Sequence, residues 1–422
     1  MKQVSKVCIV TPGHLSANPR VVKEATALSD AGFAVTIVCG DYILNAKESD
    51  QRITDPKWNV HHVTFGRHVA SRSNHLRQKL RQKLSRILQW LTPLKSKLAA
   101  LSHSPIAWDL EKVAKSVQAD LYIAHYVAAL PAAAKAAKLY GVRYAFDAED
   151  FHLGDLPELQ QHDFERSLIY AIEKKWLPGA AYVTAASPLI ADAYADTYGI
   201  ERPTVILNVF PRSSGPSAPT PKGTIIPGPS LYWFSQTIGA GRGLETALEA
   251  ISIAKSNPHL HLRGTPAIGY REKLMDLAAS LNVSGRLHFH DPVPPYELER
   301  VGAAFDIGFV GETGETRNRN IALTNKLFSY LTSGLPVIAS DISAHRDLSE
   351  KHSDFIFAFR NANGLAEILD KLLIPKNGLI HPRRLAYEAG STVFDWNRHQ
   401  YKVVDCVRDS MGPSSGSLCS GR

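Results

Sequence analysis

The stretch NKLFSYLTSGLPVIASD, Asn325–Asp341, decides the fold. Leu327, Phe328 and Leu331 recur at helical spacing, and Thr324 or Asn325 supplies a capping side chain. Gly334 provides a left-handed stop, and Pro336 prevents the helix from continuing. PVIAS then reads as a buried strand. A short helix feeding a buried strand is half of a βαβ unit, and the same alternation continues along the chain.

Upstream, LYWFS, LHLRG, RLHFH and DIGFV read as strands. GLETALEAISIAKS, REKLMDLAASLN and PYELERVGAAF read as the helices that follow the first three. Before a segment dense in Pro, Gly and Ser, Pro211–Ser230, a second alternation runs from KVCIVTP through FAVTIVC, ADLYIA and VRYAFD to AYVTA, with helices between. At 422 residues the chain exceeds one ordinary core. The pattern predicts two doubly wound α/β domains facing a cleft, residues 1–210 and 231–390, joined by a linker at 211–230. STVFDWNRHQYKVVDCVRDS predicts a terminal helix over 391–410 that crosses back to the first domain, followed by a frayed tail at 411–422.

Composition narrows the class. Forty-four per cent apolar and 21% charged residues are globular values. No apolar run reaches the length of a membrane-spanning helix. The first residues lack the pattern of a signal peptide. Cys8, Cys39, Cys406 and Cys419 stand far apart, without zinc-ligand or disulfide spacing. These features together predict a cytoplasmic protein with reduced thiols.

Lys326 sits in the first turn of the helix, where the backbone dipole makes a cation cost roughly 0.3–1 kcal/mol unless something negative offsets it. Arg317 and Arg319 crowd the same end, beside Glu312 and Glu315. Either the glutamates neutralise the cations in a solvated loop, or an anion binds where Lys326 and the free backbone N–H groups converge. A second loop of the same kind follows LYWFS: QTIGAGRGLE carries Gly239, Gly241 and Gly243 around Arg242 before a helix. Two cationic loops leading into helices in one domain suit a diphosphate.

GRGLETALEA, LHFHDPVPPYELERVGAAFDIGFV and NKLFSYLTSGLPVIASD resemble the nucleotide-sugar-binding half of family 4 glycosyltransferases of the GT-B fold. NPRVVKEATALSDAGFAVTIV and LYIAHYVAALPAAAKAA resemble their N-terminal domain. The resemblance implies a retaining transfer of a sugar from a nucleoside diphosphate donor to a glycan or lipid-linked acceptor, with no metal or cofactor. It implies that Arg242 and Lys326 hold the diphosphate, that Gly241, Gly243, Asn325 and Ser329 lie along the donor, and that Val293 and Pro294 line the base pocket. Two departures stand out. Many relatives carry a pair of glutamates eight residues apart where this chain has Ile321 and Ser329, and a basic residue near Thr237. An epimerase on the same fold and a nucleotide-sugar-binding protein without transfer activity are the competing expectations. A dinucleotide-dependent dehydrogenase is disfavoured because TPGHLSANPR lacks the GxGxxG pattern.

In the first domain, the resemblance implies that His125, at the end of its strand, faces the cleft and touches the donor sugar or the reacting centre. Without the resemblance, it reads as a histidine satisfying local backbone groups. Asp147, Glu149 and Asp150 end another strand and serve either as acceptor-binding or general-base carboxylates, or as caps and solvated charges. Gly13, His14 and Arg20 are the polar acceptor-side candidates of the first loop.

Between Gly66 and Trp108 lie nine Lys/Arg and no Asp or Glu, against a net charge of +8 for the whole chain. On a helical wheel Leu76, Leu80, Leu84, Ile87, Leu88, Trp90 and Leu91 form one apolar arc, flanked by Lys79, Lys83 and Arg86. Such a stripe over 74–91 either packs on its own domain or lies in an anionic membrane surface with its cations snorkelling. The second alternative makes the protein peripheral on the inner face of a membrane. Nucleic acid is the poorer partner, since aromatic residues are not interleaved with the cations.

Overall fold

The structure, a computed structural model, describes residues 4–44, 46–91, 96–218 and 226–412. Lys95, the middle of the linker, most of the tail and Cys419 lie outside the described residues. The chain forms two compact units, one running to Ile206 and resuming at Gln400, the other spanning Leu207–His399.

The first unit is a seven-stranded, all-parallel sheet of β1 (Lys6–Thr11), β2 (Ala34–Asp41), β3 (Asn59–Thr64), β4 (Leu121–His125), β5 (Arg143–Ala148), β6 (Val183–Ala185) and β7 (Thr204–Val205), in the order β3-β2-β1-β4-β5-β6-β7. Val7, Ile9, Ile37, Ile123 and Phe146 are fully buried. Near-continuous apolar runs are what a parallel sheet covered on both faces demands. The second unit has six strands, β8 (Ser230–Ile238), β9 (His259–Pro266), β10 (Leu287–His290), β11 (Ile307–Val310), β12 (Val337–Ser340) and β13 (Ile356–Phe359), ordered β10-β9-β8-β11-β12-β13 and again parallel.

In each unit the chain order reverses once, at β1/β4 and at β8/β11. Loops leaving the carboxyl ends of the strands diverge at such a switch point and open a crevice for ligands. The topology therefore marks two places to look, the loops after β1 and β4 and the loops after β8 and β11.

The opening stretch folds as its spacing predicts. The helix Asn325–Thr332 is capped by Thr324, whose hydroxyl accepts from the Lys326 N–H at 3.2 Å. Gly334 adopts φ +76°, and Val337 begins β12. Two elements differ. PYELERVGAAF yields only a 3₁₀ turn and a short helix, Leu298–Gly302. The terminal helix begins at Trp396, because a helix over Ile380–Ser391 ends first and Asp395 bridges to Phe210.

The basic segment departs most from expectation. The helix Arg72–Leu91 forms, but it packs by its polar face. Gln78 and Arg81 both donate to Asp109, at 3.1 and 2.6 Å, while Gln82 donates to the Ser102 carbonyl at 3.2 Å. Arg86 pairs with Glu165. Gln78, Ser85 and Gln89 are buried, whereas Leu76, Leu80, Leu84, Ile87, Leu88 and Leu91 are exposed and Trp90 is 79% exposed. The alternative in which the leucine stripe packs on its own domain is thus overturned. Hydrogen-bonded amides and ion pairs fasten this helix, and its apolar arc faces outward.

Candidate active site

In the second unit, the loops after β8 and β11 meet backbone to backbone. Gly243 has φ +64°, and a β-carbon there would lie 2.6 Å from the Gly311 carbonyl oxygen. A β-carbon on Gly311 would lie 2.5 Å from the Arg242 carbonyl oxygen. Only glycine permits both the left-handed conformation and this approach. The contact holds Arg242 beside Glu312, and Nη1 donates to Oε2 at 2.6 Å. From the other side of Glu312, Lys326 Nζ lies 3.6 Å from Oε1. Lys326 also lies 5.6 Å from the centroid of the buried Trp233 ring.

Two cations thus share one carboxylate. The Glu312 side chain is 7% exposed, that of Lys326 13% and that of Arg242 32%. Burial raises the pKa of Glu312, but Lys326 and Arg242 outweigh it and hold the carboxyl below its ordinary value. Burial lowers the pKa of Lys326; Glu312 partly restores it, and Arg242 opposes it again. The site carries surplus positive charge at the entry to the helices Leu244–Ile253 and Asn325–Thr332, whose first N–H groups add to the same field. Its chemistry suits an anion, and Glu312 holds the two cations in place. Gly243, Arg242 and Lys326 were legible in the sequence, whereas Gly311 was not singled out. The bridging role of Glu312 was not, because it depends on the approach of two loops distant in sequence.

Other expected donor residues fall around this centre with different exposure. Asn325 is half-buried beside Lys326. Gly241, φ +73°, packs near Arg319, itself 3.5 Å from Glu315. Val293 is half-buried and Pro294 exposed in the loop after β10. Ser329 is buried, and its hydroxyl donates to Glu299 Oε1 at 2.7 Å rather than facing solvent. A carboxylate from the short helix Leu298–Gly302 therefore reaches the position where the resemblance expects a glutamate. No spacing in the sequence signals that pairing.

In the first unit, the expectation that His125 faces a cleft is not met. It is 1% exposed, with Nε2 2.5 Å from Glu24 Oε2 and Nδ1 3.2 Å from Asp147 Oδ2. Burial alone would lower its pKa, but the carboxylates of Glu24 and Asp147 prevail and raise it. Arg20 is likewise no surface residue. Its Nε and Nη2 donate to the two oxygens of Asp147 at 2.5 and 2.8 Å, and Nη1 donates to the Ile206 carbonyl at 2.7 Å. Thr184 also donates to Asp147. Burial raises the carboxyl, and the charges of Arg20 and His125 bring it down to about 2. Asp147, Arg20, His125 and Glu24 thus form a closed ionic cluster under the carboxyl ends of β4 and β5. Glu149 and Asp150 are half-buried, and each has partners of its own.

The loop after β1 builds a cavity of about 400 Å³, lined by Pro12, Gly13, His14, Ala17 and Asn18 together with Tyr42, Phe65 and Tyr126. His14 is fixed rather than free. Nδ1 lies 2.8 Å from Asp50, and Nε2 accepts from the N–H groups of Tyr42 and Ile43 at 2.9 and 3.0 Å. The proton therefore sits on Nδ1. Of the eight lining residues only Gly13 and His14 were singled out in the sequence, and two of the six missed stand out. Asn18 caps the helix Pro19–Asp30 through Oδ1, and its buried Nδ2 has no hydrogen-bond partner. Tyr126 has φ +67°, a left-handed conformation that a bulky residue rarely adopts outside a functional site. A cavity walled by aromatic rings with an unspent amide donor has the character of a sugar-binding pocket.

Residues 17–208 match the family described as the glycosyl transferase 4-like domain. Among solved structures, the chain superposes on HepE of Anabaena in complex with UDP with a TM-score of 0.69 and 15% identity, covering 96% of this chain and 99% of that one. It superposes on sucrose-phosphate synthase of Thermosynechococcus elongatus with a TM-score of 0.72 and 14% identity, covering 96% and 98%. For S. aureus TarM in complex with fondaparinux, α-GlcNAc-glycerol and UDP, the values are 0.62, 10%, 97% and 100%. No curated protein matches by sequence. The fold is GT-B, two parallel α/β units each wound about a switch point.

Proposed function

We propose that this chain transfers a sugar from a nucleoside diphosphate donor, a UDP-sugar in the first instance, to a glycan or lipid-linked acceptor with retention of anomeric configuration. The observation that carries the reading is the sharing of Glu312 by Arg242 and Lys326 at the second unit's switch point. When a diphosphate enters, its oxygens replace Glu312 as the partner of the cations, and the same pair then stabilises the charge that builds on the leaving phosphate. The two cations and helix termini supply the positive charge, so the transfer as proposed needs no metal at the phosphates. Removing one fixed donor aimed at developing charge, as in an oxyanion hole, typically costs about 2.7–4 kcal/mol in the transition state. HepE bound to UDP and UDP-glucose, and TarM bound to UDP, support the choice of donor. The cavity at the first unit's switch point is the proposed acceptor pocket, with Asn18 Nδ2 donating to an acceptor hydroxyl.

The helix Arg72–Leu91 is proposed to lie on an anionic membrane at the inner face of the cell. Its apolar arc faces outward, Lys79 and Lys83 flank it, and polar contacts hold its other side. Among the described residues, no helix is long and apolar enough to cross a membrane.

Calorimetric titration with UDP, followed by product analysis with a UDP-sugar panel, tests the reading. Saturable UDP binding that Lys326→Ala abolishes supports the donor site. Sugar release or transfer identifies the transferase, whereas conversion of the donor to its epimer or binding without turnover identifies one of the competing activities. Absence of binding at millimolar UDP and other nucleoside diphosphates removes the reading.

A further inference from the structure

Two adjacent strands of the second sheet carry the same pattern, His-x-His: His259 and His261 on β9, His288 and His290 on β10. Residues two apart on a strand project from the same face. The parallel register sets His288 opposite His261, so the four rings gather on one face at the sheet's edge. The His261 and His288 rings stack at 4.4 Å between centroids, and those of His259 and His288 at 5.2 Å. His259 Nδ1 and His288 Nε2 are 2.9 Å apart.

We propose that His259, His261 and His288 form a binding site for a divalent transition metal ion of the zinc class. One nitrogen from each lies within 4.8 Å of the others. Tetrahedral zinc with Zn–N bonds of about 2.0–2.1 Å needs nitrogens roughly 3.4 Å apart, within reach of small ring rotations. Three imidazoles without a carboxylate select zinc, nickel or copper over magnesium or calcium.

The surroundings prepare the site. The carbonyl of Pro227 lies 3.2 Å from His261 Nε2, and His261 Nδ1 lies 3.0 Å from His290 Nε2, a contact that a bound metal would replace. A backbone carbonyl fixing one ring nitrogen is the usual support of a metal-bound histidine. Gly228, φ +78°, lies against the His259 ring so closely that a β-carbon would overlap it. His290 lies outside the three histidines whose nitrogens converge. A metal here would clamp the four-residue edge strand β10 to β9, away from the Arg242–Lys326 site in the same unit.

The experiment uses the untagged full-length chain, stripped with a chelator and titrated with Zn²⁺ by calorimetry, with Co²⁺ absorption as a second readout. The expected result is one Zn²⁺ per chain, a tetrahedral Co²⁺ spectrum, and binding at least tenfold weaker in His288→Gln and in His259→Gln, each with the wild-type circular dichroism and UDP affinity. Absence of saturable binding, or variants that bind like the wild type, overturns the site in favour of a ladder of neutral imidazoles that only satisfy one another. The outcome is independent of the transferase reading, since UDP binding is measured separately on each variant.

Discussion

The two units carry charge clusters that look alike in the sequence and differ in what remains after pairing. In the first, Arg20 gives both arms of its fork to Asp147, and His125 lies between Asp147 and Glu24. Every member is buried. In the second, Arg242 and Lys326 divide one carboxylate, and Arg242 remains a third exposed. The first cluster has no charge left for a ligand, and the second has a surplus. Counting partners separates a structural ion network from a binding site where residue type and strand-end position do not.

Breaking the closed cluster has the largest expected effect. Arg20→Ala leaves Asp147 buried without its cation and should cost about 3–5 kcal/mol of stability. Urea unfolding measures this, and a loss below about 1 kcal/mol would falsify the closed-cluster assignment. Lys326→Ala should do the reverse. Catalysis should fall roughly 10²–10³-fold while the urea midpoint hardly moves, because removing Lys326 relieves its repulsion with Arg242. Paired unfolding and turnover assays on the two variants put both halves of the contrast on one scale; matching profiles would erase it.

Acidity sharpens the contrast further. Asp147 is brought from 3.8 to about 2 on folding, so its contribution is complete above pH 3.8 and is lost as the pH falls through about 2. His125 is raised above 6.5, so its contribution is complete below pH 6.5 and is lost as the pH rises through its folded value. The first unit should lose about 2 kcal/mol as the pH falls through the Asp147 range, and should also lose stability as the pH rises past the folded value of His125. Melting curves of wild type and Asp147→Asn should converge as the pH falls through about 2, and curves that stay parallel there would count against the cluster.

The smallest effect concerns an apolar surface that belongs to neither cluster. Leu84→Ser with Leu88→Ser on the helix Arg72–Leu91 should weaken sedimentation with anionic vesicles roughly tenfold, since each exposed leucine loses apolar burial in the bilayer. Stability should be unchanged, because the polar side holds the helix. Equal vesicle binding by wild type and variant would remove the membrane from the picture.

Much of this fold was legible because periodicity is local. NKLFSYLTSGLPVIASD contains its own cap, stripe, stop and strand, and the Gly-rich loop around Arg242 announces a close approach. What sequence reading missed is set at a distance. His125 and Glu24 are 101 residues apart, Arg20 and Asp147 127, and Arg242 and Glu312 70. A strand-end histidine or aspartate reads the same whether its partner is a ligand or an arginine of another helix. The helix Arg72–Leu91 misled for a different reason. A leucine stripe is normally the buried face, but here glutamines and arginines make the stronger attachment, to Asp109, Glu165 and backbone carbonyls.

The contact of Gly243 with Gly311 bears on how this protein is able to vary. Each glycine excludes a side chain at the other's backbone, so a lone methyl at either position overlaps main-chain atoms. A compensating change at the second position adds bulk instead of removing it. No sequence of single replacements leads away from this pair without passing through a molecule whose two switch-point loops have been pushed apart. The spacing of Arg242 and Glu312 is thereby shielded from gradual drift, and a change in what this site binds has to come from the side chains around it.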